Sequence, residues 1–266
     1  MIRHLKSDCA NCFGLCCVAL PFARSADFPL DKNSGEPCQN LSSSHQCLVH
    51  KSLKEKGFNG CVSYECFGAG QHVSQTLYKG EDWRSHANKS KEMFVVFPIV
   101  QQLHEMLWYL QQAIRLKETS IIHEEIREMI IDLEGNTNES PQYLMDLDIQ
   151  QQRMNVNELL LQTSESYRKN KSSGQKLVRH DYIGAHLNGQ NLQGANLRGK
   201  LLIAANLKHT NLSFADFIGA DLRDANLSAA NLTGALFLTQ SQINSAKGNH
   251  MTVLPDFIER PNHWLT

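Results

Sequence analysis

The sequence predicts a multi-domain protein that joins a cysteine-rich, metal-binding head, an α-helical middle and a repeat segment. Three observations predict this architecture. All eight cysteines lie within residues 9–66, apolar residues recur at helical spacing from about residue 90 to residue 169, and one apolar residue returns at every fifth position from residue 175 to residue 239. A chain of 266 residues is long enough for two or three domains. The predicted boundaries are 1–83 for the head, 84–174 for the helices, 175–239 for the repeats and 240–266 for a C-terminal cap.

The repeat segment is defined by its period of five. A large apolar residue occupies thirteen successive positions: Leu177, Tyr182, Leu187, Leu192, Leu197, Leu202, Leu207, Leu212, Phe217, Leu222, Leu227, Leu232 and Phe237. In most cycles alanine stands two places before this residue, and Asn or Asp stands one place before it. A period of five matches neither the helix nor the strand. Self-similarity at a fixed period indicates a solenoid, in which each unit buries its apolar side against the next.

This A-(N/D)-L-x-x pattern resembles the pentapeptide-repeat family over Gln175–Thr239. The resemblance implies a right-handed quadrilateral parallel β-helix with one pentapeptide on each face. A narrow tube of this kind has room for Leu or Phe inside and only for a residue as small as Ala beside it. We expect the first turns to be less regular, because larger or polar residues take the small-residue position at Gln175, His180, Gln190, Lys200 and Thr210.

Composition limits the function classes. The formal net charge is −1 and no half of the chain is strongly basic or acidic, which argues against a nucleic-acid partner and an acidic membrane surface. The longest apolar run, Met93–Val100, is too short to span a bilayer. The first six residues lack the apolar core of a signal peptide. We therefore expect a cytoplasmic protein.

The cysteines are predicted to be metal ligands. They begin with a C-x2-C-x3-C-C motif and are Cys9, Cys12, Cys16, Cys17, Cys38, Cys47, Cys61 and Cys66. Two thiolates separated by two residues can converge on one ion, as in zinc and iron–sulfur sites. Since a reducing cytoplasm disfavours disulfides, metal binding is favoured over a redox or disulfide role and over inert buried thiols.

The cysteine pattern also resembles a cysteine-cluster domain described as zinc- or iron-chelating, and the whole chain is similar to a bacterial subfamily that joins such a head to helices and pentapeptide repeats. Eight thiols suffice for two four-ligand zinc sites, or for one four-cysteine cluster with thiols left over. His45 and His50 flank Cys47 as substitute zinc ligands, although a surface position explains each of them more simply. Zinc is the expected metal, and an iron–sulfur cluster is the alternative.

The middle of the chain is predicted to contain three helices. The second is expected to begin near Thr119 or Ser120 and to stop at Gly135, because glycine commonly follows a helix. The third is expected to begin at Ser140-Pro141, a capping residue followed by a proline that suits the first turn, and to run as one helix toward Tyr167. Both are amphipathic in sequence, as is the long first helix.

No catalytic residue is assigned. His104-Glu105 and His123-Glu124 lie in the helical middle without the His-Glu-x-x-His spacing of a metalloprotease, and we expect them to face solvent. The segment Phe67–Gln71 lacks the lysine and third glycine that phosphate binding needs, so it is interpreted as a turn. The balance favours a protein that is not an enzyme.

The leading functional prediction is a metal-stabilised pentapeptide-repeat scaffold that engages a protein partner through the faces of its repeat segment. Neither nucleic acid nor a membrane is expected as a direct partner, and a homodimer through an open end of the solenoid is possible. The alternative is an iron–sulfur or cysteine-based redox or modifying enzyme, in which the adjacent Cys16 and Cys17 carry the chemistry.

The family resemblance also implies a third function, mimicry of duplex DNA to bind gyrase and confer quinolone resistance. Thirteen pentapeptides make a rod of only about 15 Å, and a duplex of that length carries about nine negative charges. The repeat segment instead contains more bases than acids. The acids are Asp181, Asp216, Asp221 and Asp224, and the bases are Lys176, Arg179, Arg198, Lys200, Lys208 and Arg223. This charge balance argues against DNA mimicry.

Overall fold

The computed structural model describes residues 5–175 and 177–265. Residues 1–4, which belong to the segment assessed for a signal peptide, lie outside the described residues, and so does Lys176, which is counted among the bases of the repeats. The chain forms two compact units. The first contains the described residues through Arg115 together with Ile122–Leu160, and the second contains Leu116–Ile121 and the described residues from Leu161 onward. The predicted division into four segments remains a prediction.

The cysteine-rich part of the first unit is built from short helices. A 3-10 turn at Cys9–Asn11 precedes α1 (Leu15–Ala19), and α2 (Asn59–Val62) is followed by α3 (Ala69–Gln71), which continues into a π-helical turn at His72–Leu77. A further 3-10 turn lies at His50–Ser52. Two single antiparallel bridges, Phe22 with Lys32 and Leu41 with Cys47, fold back the intervening chain.

The remainder of the first unit is helical. The long helix α4 (Ala87–Ala113) contains Pro98 and packs against α1, α3, α5 and α6. It is followed by a 3-10 segment (Lys117–Ile122), α5 (His123–Thr137), α6 (Pro141–Asp146) and α7 (Ile149–Arg168). The apolar stripe of α4 is fully buried at Met93, Phe97, Val100, Leu103 and Leu110. Over residues 5–175 and 177–265, no helix has both the length and the apolar character needed to cross a membrane.

The second unit contains the repeats, wound with 20 residues per turn. Asp181 pairs with Leu201, and Leu201 pairs with Asp221, each through a parallel bridge. The Tyr182 amide donates to the Leu201 carbonyl at 2.8 Å, and the Leu201 amide donates to the His180 carbonyl at 3.1 Å. The large residue of each pentapeptide points inward, and from Leu192 to Phe237 these residues are at most 1% exposed. We call residues 177–239 the repeat coil.

The far end of the repeat coil is closed by the C-terminal segment. Thr239 caps α8 (Gln240–Ser245) through a reciprocal capping box with Gln242. The 3-10 turn Asn262–Trp264 then brings the indole of Trp264 into the core, where it is 1% exposed. Gly248 permits this contact, because a Cβ there would lie 2.5 Å from the Trp264 ring. The buried apolar column of the coil is thus shielded from water at this end.

The prediction of a right-handed quadrilateral parallel β-helix is wrong. Within the described ranges the chain forms neither a β-strand nor a sheet, and its regular elements are helices. Each bridge is one residue wide, because a turn with a left-handed residue follows every bridge. Ala204, His209 and Phe214 have φ values of 54°, 56° and 60° at these turns. Consecutive residues therefore cannot extend a ladder, and the period of five yields stacked turns in place of strands.

Candidate functional site

All eight cysteines are free, and each of them changes the pKa of a neighbouring cysteine or has its own pKa changed by one. They fall into two neighbourhoods. The first sulfur group is defined as Cys9, Cys12 and Cys66. The second sulfur group is defined as Cys16, Cys17, Cys38, Cys47 and Cys61. Each group combines cysteines from the beginning of the head with cysteines from its end. Cys9 and Cys12 are grouped with Cys66, and Cys16 and Cys17 are grouped with Cys61.

The first sulfur group is arranged around Gly70. A Cβ on this glycine would lie 2.7 Å from the Cys12 sulfur and 3.9 Å from the Cys66 sulfur, so both thiols approach the α3 backbone closely. The Ser7 hydroxyl lies 3.0 Å from the Cys66 sulfur. Burial raises the pKa of Cys12 to about 11, and burial together with the charge of Cys66 raises the pKa of Cys9. Burial therefore favours the protonated form of the Cys9 and Cys12 thiols.

Folding of the Cys12 loop explains this placement. The amide of Phe13 donates to the buried Ser74 hydroxyl at 3.0 Å, and that hydroxyl donates to the Gly70 carbonyl at 2.8 Å. Gly14 adopts φ 67°, and a Cβ there would lie 2.6 Å from Leu41. The glycine in the opening cysteine motif is therefore required both by backbone conformation and by space.

The second sulfur group contains a short chain of thiols. The sulfurs of Cys16 and Cys17, both on α1, lie 3.9 Å apart, and a hydrogen bond joins Cys17 to Cys47. The Cys38 amide donates to the Cys17 carbonyl at 2.8 Å. The hydrogen bond to Cys17 and burial raise the pKa of Cys47, and burial followed by the charges of Cys38 and Cys47 raises the pKa of Cys61 to about 11.

These sulfurs do not form a finished coordination shell. Among the residues the structure describes, no three Cys, His, Asp or Glu side chains converge closely enough to hold a metal ion. The predicted set of eight ligands is therefore divided between two neighbourhoods. The donor type still suits a thiophilic metal, because four thiolates at zinc–sulfur distances stand about 3.8 Å apart, close to the 3.9 Å between Cys16 and Cys17.

A buried hydroxyl adds to this fit. The Tyr64 hydroxyl is inaccessible to water and has no hydrogen-bond partner among the described residues. Burial raises its pKa, and the charges of Cys16, Cys66 and Cys12 raise it further, which places the ring within electrostatic reach of both sulfur groups. A buried donor without an acceptor is rare in folded proteins. A thiolate or a metal-bound sulfur would supply the missing acceptor.

The histidines have other surroundings. The His45 ring packs between Phe13 and Trp83, with centroid distances of 5.5 and 5.7 Å, and its Nε2 lies 3.7 Å from Asp82. Burial lowers the pKa of His45. His50, the other substitute zinc ligand, is exposed in its 3-10 turn. Its role as a ligand stays a prediction.

The expectation that His104 faces solvent is wrong. Its side chain is 2% exposed, and its Nδ1 lies 2.8 Å from the Phe67 carbonyl oxygen. Its ring meets His72 at 5.1 Å, and His72 Nε2 lies 2.8 Å from the Thr137 carbonyl oxygen. The periodicity of α4 misleads here because a polar residue on its apolar side is satisfied by backbone groups of a neighbouring segment.

Three residues near the sulfurs escape sequence reasoning: Lys32, Tyr64 and Gly70. None belongs to a recognisable motif, and Lys32 is one of 26 basic residues. Gly70 lies in the segment Phe67–Gln71, for which the sequence predicts a turn. Phe67 and Gly68 form that turn, with φ values of 49° and 80°, and α3 begins directly after it. The role of Gly70, which is to leave room for the Cys12 sulfur, is visible only in the folded structure.

The repeat coil presents a covered face and an open face. On the covered face, the Tyr167 hydroxyl at the end of α7 donates to the Gly234 carbonyl at 3.0 Å, and its ring meets Phe214 edge-on at 6.1 Å. Arg168 donates to the Gly194 carbonyl at 3.1 Å. The open face is defined by the outward-facing residues Asp181, Ile183, Leu201, Ile203, Asp221 and Arg223.

Comparison with known proteins identifies the repeats. The family described as "Pentapeptide repeats" matches residues 201–237 in eight copies. A pentapeptide repeat protein from the Arabidopsis thaliana thylakoid lumen, of known structure, is 32% identical, and the similarity covers 34% of this chain and 62% of that one. The chain thus spans less than two thirds of that protein, and the TM-score of 0.19 supports no conclusion about the fold.

A relative in Bacillus subtilis (strain 168) matches along nearly the whole chain. It is the uncharacterized protein YybG, which is 53% identical over 264 residues, covering 98% of this chain and 95% of the relative. The similarity therefore includes the cysteine-rich head, the helices and the repeats together. The chain is a pentapeptide-repeat protein that belongs to the same family as Bacillus subtilis YybG.

Proposed function

We propose that this protein is a scaffold whose repeat coil binds a protein partner on its open face, while a thiolate-bound metal stabilises the cysteine-rich head. The observation that carries the first part is the covered face. There the coil accepts the end of a helix through an aromatic ring, a guanidinium and backbone carbonyls at Gly194 and Gly234. Solenoid surfaces are used widely for such contacts.

The open face has the composition of a binding surface. Ile183 is 51% exposed, and Leu201 and Ile203 are partly exposed beside it. Asp181 and Asp221 flank these aliphatic residues in the same column of bridges. An apolar centre with a charged rim is the common anatomy of a protein interface. Since Asp221 is paired with Arg223 on the same face, the expected partner offers an apolar residue and a base that can meet Asp181.

The charges of the coil disfavour DNA mimicry. Asp216 pairs with Arg198, Asp221 with Arg223, and Asp224 with Lys247. Three of the four acids counted in the repeat segment are thus compensated by bases of the same chain. A surface of this kind lacks the row of uncompensated negative charges that duplex DNA presents.

A photo-crosslinking residue tests the proposed surface. Placed at Ile203, it should capture a partner that the same residue at Lys208, an exposed position outside the open face, does not capture. Binding of the captured protein should then weaken at least tenfold with Ile203→Arg and stay unchanged with Lys208→Glu. Equal capture from both positions, or an unchanged affinity of the Ile203→Arg variant, would contradict the proposal.

The metal would be held by the second sulfur group, with the first group as a further site. When bound, zinc would supply structural cross-links between α1, the loop containing Cys38 and Cys47, and α2. Burial raises the pKa of the Cys61 thiol, so metal binding there would release a proton. Zinc suits a site whose ligands are thiolates, and the iron–sulfur cluster stays the alternative.

Elemental analysis with an ultraviolet–visible spectrum, on protein purified without oxygen, tests the metal. One or two colourless zinc ions per chain would support the proposal, as would a lower melting temperature after chelation. Iron with sulfide and a brown colour would instead favour the redox enzyme. Protein without metal, whose melting is unchanged by added zinc or by chelator, would contradict both.

A further inference from the structure

Lys32 is a buried lysine held as a cation. Its residue is 6% exposed, and its Nζ donates to the carbonyl oxygens of Val18 at 3.1 Å, Asn33 at 3.0 Å and Glu36 at 3.0 Å. An ammonium carries three N–H donors and a neutral amine carries two. Three carbonyl acceptors around one nitrogen therefore fit the charged form. The Phe22 ring, with its centroid 5.5 Å from the nitrogen, adds a cation–π contact.

Burial lowers the pKa of Lys32, whereas the charges of Cys38, Cys17 and Cys16 raise it, so its ammonium is within electrostatic reach of the second sulfur group. Cys61 also interacts electrostatically with Lys32. The carboxylate of Glu36 is a further negative charge near the ammonium. Two of the three acceptor carbonyls also belong to the chain next to the sulfurs, since Val18 follows Cys17 and Glu36 precedes Cys38 by two residues.

The chemistry of a thiolate site gives this arrangement a use. Four thiolates around a divalent zinc ion leave a net charge of about −2, and burying uncompensated charge is costly. A neutral side chain at position 32 would leave that charge unbalanced. An ammonium held by three carbonyls would supply one positive charge to such a site.

We propose that Lys32 is the built-in counter-charge of the second sulfur group and selects for a metal bound by thiolates alone. This inference rests on the proposed metal site and adds a residue that controls its affinity. Lys32 acts as a positioning residue, since it would not touch the metal itself. Its hydrogen bonds to backbone carbonyls additionally hold the chain between Cys17 and Cys38, and the experiment must separate these two roles.

Zinc affinity of charge variants separates them. Lys32→Arg keeps the charge, whereas Lys32→Gln keeps two N–H donors for the carbonyls and removes the charge. Competition with a chromophoric chelator should show an affinity within about threefold of wild type for Lys32→Arg and a loss of ten- to one-hundredfold for Lys32→Gln, the range found when outer-shell partners of metal ligands are removed. Lys200→Gln is the matched control, because its Nζ donates to a carbonyl of Arg179 in the repeat coil.

A second variant keeps the test informative if Lys32→Gln folds poorly by circular dichroism. Glu36 is exposed, and Glu36→Gln removes the negative charge next to the ammonium. A counter-charge role predicts zinc binding at least as tight as in wild type. Wild-type affinity in Lys32→Gln, or weaker binding in Glu36→Gln, would overturn the inference while the metal site itself stands. Wild-type protein that binds no zinc would overturn the proposed site and the inference with it.

Discussion

The guanidinium of Arg198 lies 3.1 Å from the carboxylate of Asp216, whose side chain is completely buried in the repeat coil. The two residues come from successive turns, because Asp216 bridges Asn196, two residues before Arg198. Asp216 also accepts the Ile218 amide at 3.0 Å. The pair therefore joins two turns of the coil and closes a local turn at the same time.

Replacing Asp216 by Asn should lower the free energy of unfolding by about 3 kcal/mol, because it leaves the partly buried Arg198 without its counter-charge. The amide oxygen can still accept the Ile218 hydrogen bond, so the loss reports mainly on charge. Urea denaturation of the full chain provides the measurement. Asp224→Asn is the control. Its pair with Lys247 is more than half exposed, and the expected change is below about 1 kcal/mol. Similar losses in both variants would contradict the assignment.

Gly234→Ala should destabilise the coil more than Gly189→Ala. Both glycines have positive φ, 63° and 69°, so both substitutions strain the backbone by about 1 kcal/mol. Only the Cβ at position 234 meets neighbours, at 2.7 Å from Phe214 and 2.8 Å from the Tyr167 hydroxyl. We expect a further loss of about 1–3 kcal/mol from this overpacking.

Thermal and urea unfolding of the two glycine variants give the comparison. Gly234→Ala should cost less stability in a Tyr167→Phe background than in wild type, because the hydroxyl that the new methyl meets is absent there. Tyr167→Phe alone is the reference, since it removes the hydrogen bond to the Gly234 carbonyl. Equal stability of the two glycine variants would show that Tyr167 of α7 does not pack against Gly234 in solution.

The period of five predicts which residues are buried but not the backbone class. Leu192, Leu202 and Leu212 are fully buried as the pattern requires. Burial follows from spacing alone, since every fifth residue returns to the inside of a turn. Strands do not follow from it, because the left-handed residue at Ala204 or Phe214 ends each bridge after one pair.

Capping and glycine signals in the sequence predict the start of α6 correctly but do not predict the end of α5. Ser140 caps α6 and accepts the Tyr143 amide, as the Ser-Pro signal predicts. Gly135 does not stop α5, which continues to Thr137. Asn136 and Thr137 are buried there, so tertiary packing outweighs the intrinsic preference of glycine. The predicted start of this helix near Thr119 is also wrong. The Thr119 hydroxyl donates to the Leu116 carbonyl within a 3-10 segment, and α5 begins at His123.

The cysteine head shows a similar limit. The sequence identifies the thiols, yet their division into two groups depends on where the loops carrying Cys38, Cys47 and Cys66 return. That return is set by contacts such as the amide of Cys38 with the carbonyl of Cys17. Lys32 gives no sequence signal, since its role arises from three backbone carbonyls that only the folded loop assembles.

Gly70→Ala should weaken zinc binding at the first sulfur group. The added methyl would stand 2.7 Å from the Cys12 sulfur, so this thiol must shift from its present position. Zinc bound per chain, measured by elemental analysis after gel filtration at limiting zinc, should fall. Gly135→Ala, in a helix with open space around it, should leave zinc binding unchanged and stabilise the protein by up to about 1 kcal/mol. Unchanged zinc content in Gly70→Ala would place the metal elsewhere.

Metal-free protein should lose stability in alkali, and zinc should suppress that loss. The pKa values of Cys12 and Cys61 rise from an ordinary 9.0 to about 11 on folding, mainly through burial. The folded state therefore retains these protons more strongly than the unfolded state. Their stabilising contribution is complete below pH 9 and falls as the pH rises through 11. Zinc-bound thiols have already lost their protons, so this dependence disappears in the loaded protein.

The melting temperature of chelator-treated protein between pH 7.5 and pH 11 measures this effect. Cys61→Ser removes one of the thiols whose pKa rises on folding, and its decline over that range should be shallower than that of the metal-free wild type. The exposed Asp224→Asn variant serves as the matched control, since it changes a charge in the repeat coil without altering a thiol. A decline of equal steepness with and without Cys61 would show that its thiol is not protected by folding, and a decline that zinc leaves unchanged would show that the metal does not reach these sulfurs.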